Sequence, residues 1–240
     1  MSDSLKISGL TVIRGTKTVV RSVDIEVVPG QVTALLGANG AGKSSLVLAI
    51  AGVLKPTGGT VAIGSSELTG KQPHVVRAAG VAAVPEGHRV LGGLTVKENL
   101  EAAGSMHSRS ELSSAVNDAL QLFPELGERL GQKAGTLSGG QQQMVALAQA
   151  LVSRPKFLLA DELSLGLAPL VVKRLANAVA QIAHQGTGVL LIEQFTTIAL
   201  KLATTASVME RGEMRWSGTA RDLEANPEVL HAAYLAGKSS

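Results

Sequence analysis

Cysteine is absent from the 240 residues, which excludes a disulfide framework, a thiolate metal site and a cysteine nucleophile. Aromatic residues are nearly absent too: three Phe, one Trp and one Tyr, none of them before Phe123. The first half of the chain therefore offers no ring on which a base can stack. Neither sign of charge dominates, since 22 Lys and Arg face 19 Asp and Glu for a net charge of +3. There is no dense basic run, so a nucleic-acid partner is not expected. No uninterrupted apolar run approaches the roughly 18 residues that suggest a membrane span. Met1 to Leu10 mixes Asp3 and Lys6 with single apolar residues and lacks the core of a secretory signal. Any association with a membrane is expected to come through another chain. The five histidines, His74, His88, His107, His184 and His231, show no ligand spacing, and a zinc site is not expected.

The chain does have material for a core. Hydrophobic residues make up 45% of it and glycine fills 27 positions, which suits one large domain or a domain with an inserted subdomain. From Val23 to Val27 apolar residues alternate with Asp24 and Glu26, the period of a half-buried strand, and Pro29-Gly30 then turns the chain. Val32 to Leu36 is almost wholly apolar, and after GANGAGKSS the residues Leu46, Val47, Ile50, Val53 and Leu54 recur at helical spacing. That order predicts a buried strand, a glycine loop and a helix. Phe157 to Ala160, ending in Asp161-Glu162, and Gly188 to Ile192, ending in Glu193-Gln194, predict further parallel strands covered on both faces. Between Thr95 and Pro155 the pattern turns helical, with a capping-box pair at Thr95 and Glu98 and with Leu112, Val116 and Leu120 four apart on one face. A hairpin is expected at Arg211-Gly212 and a closing amphipathic helix from Leu223 to Leu235, with Trp216 and Tyr234 as packing residues of these elements.

Three segments carry chemistry. Gly37 to Ser44 fits G-x-x-x-x-G-K-[ST], a phosphate-binding loop. Gly37, Gly40 and Gly42 let the backbone of Asn39, Ala41 and their neighbours curl so that N–H groups face a β- or γ-phosphate, aided by the positive end of the next helix. Lys43 is placed to reach the phosphate oxygens, and the Ser44 hydroxyl, beside Ser45, to ligate Mg²⁺. In FLLADE, a carboxylate at the tip of a buried strand is held rigidly: Asp161 suits Mg²⁺ through water, and Glu162 suits an attacking water. In LSGGQQQ, Ser138, Gly139, Gly140 and Gln141 open a long helix. They form either a plain helix cap or a second anion site facing the phosphate loop of a partner.

GANGAGKSS, LSGGQQQ and FLLADE, in that order around a helical insertion, resemble the Walker A, signature and Walker B motifs of ABC transporter ATPases over roughly the whole chain. The resemblance implies an α/β, P-loop NTPase fold with a mainly parallel central sheet, an antiparallel β edge region and an inserted helical subdomain. One domain then covers residues 1–240, with 1–94 and 156–240 as a RecA-like core and 95–155 as the signature subdomain. It also implies ATP and Mg²⁺ as cofactors and two nucleotides sandwiched head to tail between Walker A of one subunit and the signature of the other. VPEGHRVLGGLTVKENL (Val84 to Leu100), SLGLAP and IEQ resemble the ATPases of branched-chain amino acid importers, of which this chain looks like the smaller of two. In that subfamily Glu86 stands near the metal where most relatives keep a Gln. The implied partners are a second ATPase subunit, as a heterodimer or a homodimer in vitro, two membrane permeases and, indirectly, a solute-binding protein. The implied location is the cytoplasmic face of the membrane. The permease is expected on the surface from Glu86 to Leu94. An ATPase serving urea or short amides, and a weakly hydrolysing regulatory subunit, remain as alternatives. ABC ATPases of DNA repair or translation carry a long coiled coil or two fused ATPase domains, which 240 residues do not hold.

The departures from the family pattern are local. Most relatives stack adenine on an aromatic residue near Arg14-Gly15; here the Arg14 guanidinium stacks on the base or simply lies in solvent. Gln194 stands at the usual histidine switch and can donate to a γ-phosphate but cannot carry a proton at neutral pH, leaving Glu162 as the base. Leu163 replaces the usual proline, Leu91 a phenylalanine and Phe195 an asparagine.

Overall fold

A computed structural model describes residues 3–87, 90–194 and 196–235. Two sheets organise it. In the first, β1 (Leu5–Arg14) and β2 (Lys17–Val27) form an antiparallel hairpin. On the other side of β1 lie β4 (Gly58–Ile63) and β5 (Ser66–Glu67), for the order β2-β1-β4-β5. The alternation read at Val23 to Val27 is the second half of β2, with Val23, Ile25 and Val27 buried.

The second sheet contains β3 (Val32–Leu36), β6 (Val81–Val84), β7 (Phe157–Asp161), β8 (Gly188–Ile192), β9 (Thr205–Glu210) and β10 (Glu213–Thr219), in the order β10-β9-β3-β8-β7-β6. All its pairings are parallel except β9 with β10, the hairpin expected at Arg211-Gly212. Every residue of β3, β7 and β8 is buried, because alternate side chains enter two different cores. Ala34, Leu158, Ala160, Val189 and Leu191 join the helical core, whereas Leu35, Phe157, Leu159, Leu190 and Ile192 join the core beneath the antiparallel sheet. Strands covered on both faces lose the period-2 signal, which is why they read as continuous apolar runs.

α1 (Lys43–Ile50) follows β3 but ends earlier than the spacing predicts. Gly52 at φ +78° turns the chain, and Val53 is 56% exposed rather than on a buried helical face. α2 (Pro73–Ala78) precedes β6. The helical stretch comprises α3 (Val96–Ala103), α4 (Arg109–Leu122), α5 (Pro124–Gly127), a 3₁₀ turn at Ala134–Thr136 and α6 (Gly139–Val152). Thr95 and Glu98 form the expected capping box. On α4 the fully buried residues are Ala115, Ala119 and Leu122; Leu112, Val116 and Leu120 flank them, half-buried. α7 (Pro169–His184), α8 (Thr196–Leu202), α9 (Ala220–Ala225) and α10 (Pro227–Leu235) complete the chain. The single helix expected over Leu223 to Leu235 is two helices, since Pro227 lacks an N–H and excludes the α conformation at Asn226. Trp216 packs on the helical core. No helix among the described residues is long and apolar enough to cross a membrane.

Candidate nucleotide site

Register in the parallel sheet assembles the site. β8 lies between β3 and β7, with Leu35 opposite Ile192 and Asp161 opposite Ile192, so the carboxyl ends of three strands reach one crevice. Leu36 leads there into the glycine loop, Asp161 into Glu162, and Ile192 into Glu193-Gln194. A cavity of about 510 Å³ opens at this edge. Its walls are Asn39, Gly40, Ala41, Gly42, Lys43, Ser44 and Ser45 of the loop, Arg14 and Val19 of the hairpin, and Glu86, Glu162, Leu165 and Gln194. Three distant segments named from the sequence thus meet, together with Arg14 and Glu86.

Gly42 caps α1 at φ +107°, and a Cβ there would fall 2.3 Å from the Val19 carbonyl oxygen, so only glycine fits. Lys43 is 4% exposed and folds back on its own loop, donating to the carbonyls of Gly37 at 2.8 Å and Ala38 at 3.1 Å. Burial pushes its pKa down, while Glu162, Asp161 and Glu86 pull it up. The ammonium is therefore a fixed positive pole whose present partners are carbonyls that an anion can displace.

Asp161 is 2% exposed. Burial pushes its carboxyl up to about 6, with Glu162 and Glu86 adding to the rise and the Ser44 hydroxyl bond and Lys43 opposing it. Its Oδ1 is buried with no hydrogen-bond partner, a costly arrangement in a native core. An orphaned carboxylate oxygen beside a serine hydroxyl is a hard-oxygen pair, and it fits Mg²⁺. No group of three His, Cys, Asp or Glu able to hold a metal occurs among the described residues, so an ion here completes its shell on phosphate and water.

Glu162 adopts a left-handed backbone, φ +51°, uncommon outside glycine and held by its N–H donating to the Ile192 carbonyl at 2.9 Å. Its Oε1 accepts from Gln194 Nε2 at 3.2 Å, and the same amide donates to Asn39 Oδ1. Gln194 thus bridges the glycine loop and the strand-tip glutamate.

Ser138, Gly139, Gly140 and Gln141 do not line this cavity. Ser138 is exposed and closes a capping box with Gln141 at the start of α6, whereas Gly140 is buried. Leu163 is a core residue, 3% exposed, and Leu91 is 51% exposed. His88, Phe195 and the side chain of His231 lie outside the described residues.

Three contributors were not legible in the sequence. Glu193, 3% exposed, accepts from the Ser164 N–H at 3.1 Å and from its hydroxyl, fixing the loop beyond Glu162; burial pushes its carboxyl up and Ser164 resists. The Tyr234 hydroxyl from α10 donates to the Gln194 carbonyl at 3.4 Å and meets the Gly37 backbone, so this packing residue also touches the site's frame. Fully buried Asn99 bonds Leu91 N–H at 2.8 Å and the carbonyls of Leu91 at 3.0 Å, Leu94 at 3.3 Å and Thr95 at 2.9 Å. It moulds the loop before α3. The sequence held a faint signal for Asn99, its place in the capping-box segment, and one for Glu193, its place in IEQ at a strand end, and none for the Tyr234 contact.

A larger cleft, about 890 Å³, lies away from this edge around His74, Arg77, His107 and Arg154. Arg77 there donates to the Ala103 carbonyl at 2.6 Å, the His107 ring bonds that of Val152 at 2.8 Å and Arg154 pairs with Asp118 at 3.2 Å. Size alone does not mark the chemistry.

Comparison with known proteins agrees with this geometry. The pattern of the ABC transporter family matches residues 20–164. The high-affinity branched-chain amino acid transport ATP-binding protein BraG of Pseudomonas aeruginosa is 42% identical over 90% of this chain and 92% of its own length. A probable branched-chain amino acid transport ATP-binding protein, LivF, of Archaeoglobus fulgidus is 34% identical over 84% and 86%. Two crystal structures of ATP-binding cassettes from ABC transporters, one nucleotide-free and one in an ADP conformation, each superpose with a TM-score of 0.85 at 26% identity. Each superposition covers 96% of this chain and 98% of the other. The chain belongs to the ABC transporter family, as one of its ATP-hydrolysing cassettes.

Proposed function

We propose that this cassette drives an importer of branched-chain or other hydrophobic amino acids, and that the cavity at the sheet edge is its hydrolytic site. The observation that carries the site assignment is the convergence of Lys43, Ser44, Glu162 and Gln194 on one cavity from the ends of three separate strands, with buried Asp161 bonded to Ser44 behind its wall. The loop amides of Gly37 to Ser45 and Lys43 hold the β- and γ-phosphates. Ser44 and Asp161 would hold Mg²⁺, with Glu86 nearby on the cavity wall, and the ion would supply charge neutralisation on the phosphate oxygens. Glu162 orients a water in line with the γ-phosphorus and takes its proton as the P–O bond to ADP breaks, giving ADP and phosphate. Gln194 fixes Glu162 and senses the γ-phosphate. Ser138, Gly139, Gly140 and Gln141 act in trans: a second cassette presents them over this nucleotide, and the exposed Ser138 at the capped start of α6 favours that role. The helical stretch 95–155 then works as a subdomain inserted between 1–94 and 156–240.

Arg14 offers the base a cationic plane in place of a ring. A stacked guanidinium discriminates weakly among bases, so GTP and CTP are expected to be hydrolysed within about fifty-fold of ATP. Steady-state phosphate release with each nucleotide measures this, and a larger gap removes Arg14 from the role.

The membrane contact is assigned to an apolar groove of about 470 Å³ between α1, β6, α3 and α6, lined by Val47, Val53, Pro85, Leu91 and Ala146. Val53 and Leu91 are more than half exposed, an arrangement that suits the apolar face of a short permease helix. In this reading the cassette works at the cytoplasmic face of the membrane, beneath two permeases that a solute-binding protein feeds. Co-expression with the cognate permeases tests the reading: the complex is expected to co-purify, and Leu91→Asp to lower the recovered cassette at least about fivefold with ATP binding unchanged. Equal recovery of the variant overturns the groove assignment; failure of the parent to co-purify overturns the importer reading.

A further inference from the structure

α7 leaves the loop that follows Glu162 and carries two grips on the helical stretch. The first is Val171 against Gly140, the second glycine after Ser138: a Cβ on Gly140 would lie 2.6 Å from Val171 Cγ1, so α6 and α7 touch almost backbone to side chain. The second is Arg174, three residues on and therefore on the same face. Its Nε donates to Glu125 Oε1 at 2.7 Å and its Nη2 to Glu125 Oε2 at 3.1 Å, a two-pronged carboxylate contact. Nη2 also donates to the carbonyl of Leu122, the last residue of α4, which has no partner within its own helix. The guanidinium carbon stands 5.1 Å from the ring centre of Phe123, which is fully buried. One side chain thus caps α4, pairs with α5 and covers the core beneath them.

At the other end of α7 the path is equally fixed. Residues 163–168 join Glu162 to Pro169, and Ser164 in that loop is clamped by buried Glu193. Displacement of the Glu162 loop therefore moves α7, and α7 is bolted to the helices that carry Ser138.

We propose that Arg174 is a positioning residue that holds the Ser138 lid in register with Glu162. The inference rests on the two-cassette reading given above. In that dimer a chain's Glu162 serves its own nucleotide while its lid serves the partner's, so Arg174 links the two nucleotide sites. A rigid link aligns both sites in one closing motion; a loose one leaves the lid free to rock on α6 while Walker A still binds nucleotide.

The test uses the full chain with Glu162→Gln, in which ATP-dependent dimerisation is read by light scattering and monomer affinity by fluorescence of a labelled ATP. Arg174→Met is expected to weaken dimerisation at least about tenfold while monomer ATP affinity stays within about twofold. Arg174→Lys, which keeps the charge but not the fork, is expected to lose about threefold. Glu125→Gln is expected to weaken dimerisation too, and Arg174→Met/Glu125→Gln to be no worse than Arg174→Met alone, because the two groups act as one. Retained ATP affinity shows that each variant is folded. An Arg174→Met protein that dimerises as its parent does, or losses that multiply in the double variant, overturns this proposal alone. A parent that stays monomeric with ATP overturns the two-cassette reading and this proposal with it.

Discussion

Glu162→Gln is expected to cut ATP turnover at least about tenfold, leave ATP binding intact and trap an ATP-bound dimer. Three neighbouring polar groups do not replace the carboxylate. Gln194, 3.2 Å away, carries an amide that donates but does not accept a proton at neutral pH. Asp161 is bonded to the Ser44 hydroxyl, and Glu193 is occupied by Ser164. Glutamine in place of Glu162 keeps the length of the side chain and an oxygen for the Gln194 amide, so the left-handed turn at φ +51° and its bond to Ile192 stay in place. Phosphate affinity comes from Lys43 and the loop amides, which the change does not touch. Removing one negative charge beside the phosphates lessens their repulsion, so affinity holds or rises. Phosphate release, labelled-ATP binding and size-exclusion chromatography with ATP read the three effects separately. Unchanged turnover would remove Glu162 from the role of base.

What was legible in the sequence follows from how local its cause is. The limits of β3 and β8 could be read to the residue because a doubly covered strand is an unbroken apolar run with turn or acidic residues at its ends. The glycine loop and strand-tip carboxylates were legible because their chemistry demands fixed residue types at fixed spacing. The early end of α1 was not, since Leu46 to Leu54 keeps helical spacing and only Gly52 at φ +78° breaks it. Nor was the break at Pro227, which the apolar periodicity on both sides of it masks. Contacts that tune the site escaped altogether: Ser164 meets Glu193 across 29 residues, Arg174 meets Glu125 across 49 and Tyr234 meets Gln194 across 40. Their partners are chosen by tertiary packing, and nothing in local pattern encodes the choice.

Asp161→Asn is expected to abolish hydrolysis, lowering turnover at least about a hundredfold, and yet to stabilise the nucleotide-free protein at neutral pH. Burial raises the Asp161 carboxyl from an ordinary 3.8 to about 6. Below pH 4 the folded and unfolded chains both hold this proton, and the residue has no ionic penalty. As pH rises from there, the unfolded carboxyl ionises first while the folded one keeps its proton, so each pH unit lowers the stability of the fold. Above pH 6 the full penalty is in force, about 3 kcal/mol, because this buried group is shielded from solvent. Asparagine has no proton to lose, so its advantage is small near pH 4, grows to pH 6 and is constant above. The attraction to Lys43 is already contained in that shift, and a rise of roughly 6 °C in Tm at pH 7.5 is expected. The rise should be clearly smaller at pH 5. Mg²⁺ with ATP should reverse the order, stabilising the parent far more than the variant, if the orphaned Oδ1 is the oxygen that takes the ion as proposed. Scanning calorimetry at both pH values, with and without Mg²⁺ and ATP, reads all of this. An equal Tm difference at pH 5 and pH 7.5 would show that Asp161 does not titrate as its burial dictates. Full stabilisation of the variant by Mg²⁺ and ATP would show that the metal lies elsewhere.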